Sequence, residues 1–185
     1  EILDADGVAA EVLFVDGLTE ANSPPFGGDL GLQPVGVVPE LQWAGARAHN
    51  RWMAEFVAQC PLRRFGLASV TPFWGVDEAV KEVRWARDNG LRGIMLPHMF
   101  TGPLWTVCED LGMVIHFHSG AAPMHEYFGA AIFGTQASGE LPVSLPGALG
   151  IYVTEVAWWL TRPAVFMIWG GVFERHPMLG VATTE

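Results

Sequence analysis

His116 and His118 stand one residue apart at the end of an apolar run, in Met113-Val-Ile-His-Phe-His-Ser-Gly120. On a strand, residues two apart point the same way, so both imidazoles project to one face with Phe117 opposite. Two imidazoles on one side at a strand end make a metal half-site, because neutral imidazole is the commonest protein ligand. The same spacing suits a hydrogen-bonded pair of core histidines, and spacing alone leaves that alternative open. His98 follows Leu96-Pro97 at the end of the preceding apolar run and adds a third imidazole at the same pole. Glu185, just past the last apolar run, adds a carboxylate that could act as ligand or proton-transfer group. His125 and Glu126 lie in the following loop. His49 and His176 read as structural, and Asp77-Glu78 and Glu109-Asp110 as solvated helix faces. No nucleophile elbow occurs, since Gly66-Leu-Ala-Ser69 is not G-x-S-x-G, and neither cysteine sits in a nucleophile motif. Metal-assisted chemistry is what these residues leave.

The elements that must carry them alternate. Apolar runs at Ala10–Val15, Phe65–Val70, Gly93–Leu96, Met113–His118, Val165–Trp169 and Leu179–Thr183 predict six strands. Between them, Leu41, Ala44, Ala48, Trp52 and Phe56 mark one helical face. Val76, Ala79, Val80 and Val83 mark a second, with Asp77 and Glu78 near its favourable amino end. Leu104, Val107, Cys108 and Leu111 mark a third, capped by Gly112. A very apolar helix is expected at about 151–161. Residues 17–39 and 121–149 show no convincing period and read as long loops. Nearly all-apolar strands alternating with helices imply an α/β fold with a parallel sheet covered on both faces, either an open doubly wound sheet or a closed barrel. Neither G-x-G-x-x-G nor a Walker sequence is present, which disfavours the open sheet with a phosphate turn. In both architectures chemistry gathers at the carboxyl ends of the strands, where the histidines are.

Composition narrows the partners. The 185 residues, 50% hydrophobic and 16% charged, fit a single domain over 1–185. A net charge of −10 argues against nucleic acid, whose phosphates need clustered cations. No apolar run approaches the roughly 20 residues that span a bilayer. The first residues lack the basic start and apolar stretch of a signal peptide. Cys60 and Cys108 are too few for a disulfide framework, and Cys108 falls on an apolar helical face, so a cytoplasmic location is expected. A small-molecule substrate is the expected partner, and a homo-oligomer is allowed.

Six segments, in order, resemble the amidohydrolase-related family of the metal-dependent amidohydrolase superfamily. They are Asp6-Gly-Val-Ala-Ala-Glu-Val-Leu13, Arg64-Phe-Gly-Leu-Ala68, Gly90-Leu-Arg-Gly-Ile-Met-Leu-Pro97, Pro103-Leu-Trp-Thr-Val-Cys-Glu-Asp-Leu-Gly112, His116-Phe-His-Ser-Gly120 and Gly171-Val-Phe-Glu-Arg-His-Pro177. The resemblance implies a (β/α)8 TIM barrel, with the six expected strands matching strands two to seven. It also implies a divalent metal, zinc first and manganese second, at the strand carboxyl ends. The fifth-strand metal histidine of that family maps onto His118, with His116, His98 and Glu185 left to face the substrate. Family members carry an H-x-H pair on strand one and an aspartate after strand eight. Neither is present, so the sequence is expected to be part of a longer chain. Many members also end strand six on a histidine, which maps here onto Ile168-Trp-Gly-Gly171, without an imidazole.

The activity implied is hydrolysis or non-oxidative decarboxylation of a small cyclic or aromatic carboxylated substrate, with hydrolase the first expectation and decarboxylase the second. The rival expectation, motivated by the lacking strand-six imidazole, is a catalytically silent barrel kept as a binding or assembly module.

Overall fold

The computed structural model describes residues 2–14, 39–70, 75–96, 102–118, 154 and 161–184. Along the chain run α1 (Ile2–Ala5), β1 (Glu11–Leu13), α2 (Pro39–Ala58), β2 (Arg64–Ser69), α3 (Val76–Asp88), β3 (Gly93–Met95), α4 (Gly102–Leu111) and β4 (Val114–His118). A helical stretch at 161–169 (α5), α6 (Val172–Arg175) and β5 (Val181–Thr184) complete them. All four strand pairings are parallel and the order is sequential, β1-β2-β3-β4-β5. Parallel neighbours need a crossover between them, and α2, α3 and α4 supply three in succession. The fold is a partial TIM barrel of five strands among the described residues.

The sheet curls. Phe14, just past β1, packs edge-on against His116 of β4 with ring centroids 5.8 Å apart. In a flat sheet the three intervening strand spacings would hold β1 and β4 about 14 Å apart. The face carrying Phe65, Leu67, Ser69, Gly93, Met95 and His116 is therefore concave, and the opposite face carries the helices.

Two helix endings show how the chain delivers strands to this sheet. After α3, Leu91 N–H bonds Ala86 O (3.0 Å) and Gly90 N–H bonds Arg87 O (3.2 Å), with Gly90 at φ 88°. After α4, Met113 N–H bonds Cys108 O (2.8 Å) and Gly112 N–H bonds Glu109 O (3.1 Å), with Gly112 at φ 60°. Both are Schellman turns, which satisfy the last carbonyls and need a left-handed residue. Each turns a buried apolar residue, Leu91 or Met113, into the core one or two residues before the next strand. The expected stripes of α3 and α4 are the buried ones: Ala79 and Val83 on α3, Leu104, Val107 and Cys108 on α4.

Two expectations are corrected. On α2 the buried side is Trp43, Ala46, Asn50, Met53 and Val57, while Ala44 and Ala48 are exposed and Trp52 is 53% exposed. Trp52 instead stacks on Phe56 (5.3 Å between centroids), and the Arg64 guanidinium covers Phe56 at 4.1 Å. Aromatics that pack on each other outside the core mimicked a core stripe. The true face has heptad-like spacing with Asn50 in its middle.

Residues 165–169 are helical, so the expected fifth of six strands is absent. A short apolar run does not distinguish strand from helix by periodicity, and its flanks decide. Here Pro163 stands before the run, and Gly170 and Gly171 close it, with Gly170 N–H bonding Phe166 O (2.8 Å) and Gly171 at φ 63°. Only Met167 of the five is buried; Trp169 is 87% exposed. The strand beside β4 is β5, so Ile168–Gly171 is no strand end. Its lack of an imidazole says nothing about a strand-six ligand. The expected loops 17–39 and 121–149 and nearly all of the 151–161 helix lie outside the described residues.

Candidate functional site

The register places the two histidines as the spacing predicts. Met95 pairs with His116, His116 with Ala182 and His118 with Thr184, so positions 116 and 118 lie on the concave side of the strand. Position 118 is the last residue of β4, at the carboxyl pole. His116 is one row deeper and buried, 8% exposed, and its Nδ1 has no hydrogen-bond partner among the described residues. Burial holds the imidazole below its ordinary pKa, so the ring is neutral at neutral pH. A neutral ring is the form that can ligate a metal or accept a hydrogen bond. An unpaired buried nitrogen is costly, and its place on the concave face suits a polar guest.

His116 fits because Gly93, its diagonal neighbour on β3, has no side chain. A Cβ on Gly93 would lie 3.2 Å from His116 Cδ2 and 2.5 Å from the Val114 carbonyl oxygen. Phe14 closes the other side of the ring. Neither residue stood out in the sequence; a glycine opening a strand directly across from the histidine strand is the signal that could have found one of them.

His98 and Glu185, and with them His125 and Glu126, lie outside the described residues. Among the described residues no three His, Cys, Asp or Glu side chains converge on a metal position. His49 and His176 are away from the concave face. His176 Nδ1 meets Glu109 Oε2 at 2.9 Å, and Met178 N–H donates to Glu109 Oε1 at 2.8 Å. Glu109 is thus no solvated helix face, as its sequence neighbourhood suggested. It clamps the turn before β5 onto α4, and the Met178 amide, then His176, hold its carboxyl below the usual range. Cys108 is fully buried and its thiol is pushed up to about 12 by desolvation, which makes it packing rather than nucleophile.

A polar node missed in the sequence sits at the end of β2. The fully buried Asn50 donates through Nδ2 to Ser69 O (2.9 Å) and to Glu82 Oε1 (2.9 Å), and accepts from Ser69 N–H at Oδ1 (2.8 Å). Arg51 grips both Glu82 oxygens and lies 3.5 Å over the Trp85 ring. At the opposite pole, a cavity of about 500 Å³ is lined by residues including Ile2, Glu11, Cys60, Arg63 and Arg64. Its arginines are already committed, Arg63 to Asp4 and two carbonyls and Arg64 to Glu11, and it lies at the amino ends of the strands. The strand carboxyl ends remain the candidate site.

Comparison with known proteins agrees with this fold. The sequence model of the family described as Amidohydrolase matches residues 33–184. A comparison with curated protein sequences finds no match. Among solved structures, 5-carboxyvanillate decarboxylase from Sphingomonas paucimobilis aligns over 98% of this chain and 48% of its own, at 20% identity and TM-score 0.56. The 2,6-dihydroxybenzoate decarboxylase from Rhizobium aligns over 98% and 53%, at 20% identity and TM-score 0.55. A dihydroxybenzoic acid decarboxylase from Polaromonas sp. JS666, with bound manganese and the inhibitor 2-nitroresorcinol, aligns over 98% and 52%, at 17% identity and TM-score 0.56. The chain spans about half the length of these structures.

Proposed function

Because this chain belongs to the amidohydrolase family, we propose that it forms part of a metal-dependent enzyme that decarboxylates a small aromatic carboxylate. The carrying observation is that positions 116 and 118 share the concave side of β4 at the carboxyl pole, with His116 neutral and its Nδ1 unpaired among the described residues. The decarboxylase neighbours support decarboxylation over the hydrolysis first expected, and the bound manganese of one supports a divalent metal, manganese as readily as zinc. The rival reading of a silent module rested on Ile168–Gly171 as a strand end, and that support is gone.

His118 would hold the metal together with ligands from outside the described residues; an imidazole donor favours zinc, and carboxylates among the other ligands would favour manganese. When bound, a divalent cation supplies Lewis acidity that orients a carboxylate and stabilises oxyanion charge. His116 stays uncharged beneath it and hydrogen-bonds a polar ring substituent. Phe14 and Met95 give the ring an apolar wall. Decarboxylation breaks the bond between ring and carboxylate, releases carbon dioxide and puts a proton on the ring carbon. His98 and Glu185 are the groups proposed to face the substrate and move that proton.

The test uses the full-length protein. Metal analysis should find near-stoichiometric zinc or manganese, lost in His118→Ala together with activity. Carbon dioxide release from a panel of hydroxybenzoates, set against ring or ester opening, distinguishes the two chemistries. Ester or ring opening without carbon dioxide would replace the decarboxylase reading with the hydrolase one. A metal-free protein indifferent to chelators would end both.

A further inference from the structure

The Asn50 node does more than fill a gap between helices. In a strand, the N–H and C=O of one residue point to the same neighbour. Gly66 and Val70 bond β3, through Arg92 N–H to Gly66 O (3.2 Å) and Val70 N–H to Met95 O (3.3 Å). Arg63 O accepts from Glu11 N–H on the β1 side (2.8 Å). By alternation Ser69 directs both main-chain groups toward β1. Yet among the described residues the β1–β2 ladder runs only as far as Leu13–Gly66, three residues short of Ser69. The Asn50 carboxamide takes up both groups in the manner of a peptide unit on a neighbouring strand.

We infer that Asn50 is a positioning residue for the candidate site: its carboxamide replaces a strand partner at the carboxyl end of β2 and fixes the cross-strand row Ser69–Met95–His116. The row is continuous, because Ser69 pairs with Met95 and Met95 with His116. The amide is itself held from behind. Its remaining N–H reaches Glu82, which is 4% exposed, and Arg51 grips that carboxylate while stacking on Trp85. A carboxamide is the group that fits, since it offers one acceptor and two donors and all three are used. The inference rests on the reading of His116 as a site residue, but its test needs no turnover.

The experiment places Asn50→Ala and Asn50→Asp beside Val83→Ala in the full-length protein carrying ¹³C,¹⁵N-histidine. Val83 is fully buried on α3 and touches none of the node's hydrogen bonds, so it reports simple loss of stability. Asn50→Asp keeps the acceptor for Ser69 N–H and covers the case in which Asn50→Ala does not fold. The expected result is that the His116 ring signals move by more than a linewidth in both Asn50 variants. Exchange of the Val70 amide, which bonds Met95 rather than Asn50, should quicken at least tenfold. Val83→Ala should leave the ring signals in place at an equal loss of melting temperature. Unmoved His116 signals in the Asn50 variants, or equal movement in Val83→Ala, would overturn the inference. Absence of carbon dioxide release in the wild type would sink the functional proposal while leaving this comparison readable.

Discussion

Replacing Gly93 by alanine tests whether the concave face is packed as described. The added Cβ would sit 2.5 Å from the Val114 carbonyl oxygen, 2.8 Å from Leu67 Cδ2 and 3.2 Å from His116 Cδ2. The nearest of these is backbone in an adjacent strand, which cannot yield without disturbing the β3–β4 ladder. Overpacking of this kind costs about 1–3 kcal/mol. Restricting the unfolded chain by removing a glycine returns about 0.4–1 kcal/mol, so a net loss of about 1.3 kcal/mol is expected. For a chain of this size that lowers Tm by roughly 3–5 °C. Gly66→Ala is the internal comparison. There the obstructing atoms are Met53 Cγ (2.7 Å), Val57 Cγ1 (2.9 Å) and Leu91 Cδ2 (3.0 Å), all on side chains that can readjust. Thermal melts followed by circular dichroism should therefore rank Gly93→Ala as the more damaging change. Equal melting of the two variants, or a Gly93→Ala protein within about 1 °C of wild type, would refute the argument.

Three further outcomes follow from described contacts. Thiol labelling at pH 8 should modify the half-buried Cys60 and spare Cys108, whose thiol burial pushes up to about 12, until denaturant is added; two labels in the native protein would contradict this. Glu109 has a depressed folded pKa, so its stabilisation is present above its unfolded value near 4.5 and is lost as pH falls through the folded one. Urea midpoints of wild type and Glu109→Gln should differ most at pH 7 and draw together as pH falls below 4.5; a gap that stays constant through the acid range would refute the linkage. Met167→Ala should cost about 2–5 kcal/mol and Trp169→Ala less than about 0.5 kcal/mol by equilibrium unfolding, because only the first faces the core. On a strand the two would share a face and lose comparably.

The parallel sheet and the place of the histidine strand within it were readable because they depend on local patterns. The 3.6-residue stripes of α3 and α4, the glycine turns at 90 and 112 and the two-residue period of β4 each act within one element. What misled was chemistry that depends on partners. Trp52 and Phe56 satisfy one another outside the core, whereas Asn50 is buried because Ser69 and Glu82 meet it from distant positions. Heptad spacing through Trp43, Ala46, Met53 and Val57 held the clue, a polar residue where the pattern demanded an apolar one. For residues 165–169, composition favoured a strand, and the flanking Pro163 and Gly170-Gly171 carried the opposing signal. Six ordered segments, one of them holding the histidine pair, led to the family shown by the sequence match over residues 33–184. Phe14 became meaningful only once curvature brought non-adjacent strands together, and Gly93 only once the register set it beside the histidine strand.

That meeting of Phe14 with His116 also orders the assembly of the molecule. The two rings are 102 positions apart in the chain, whereas β2 to β3 and β3 to β4 are joined by single helical crossovers. Closing the longer loop costs about 1.3 kcal/mol more than closing one of about 24 residues. The middle crossovers should zip first during folding, and the aromatic lid over the imidazole should arrive last. A chain stalled at that stage would possess most of its hydrogen-bonded ladder and still leave the histidine's flank bare.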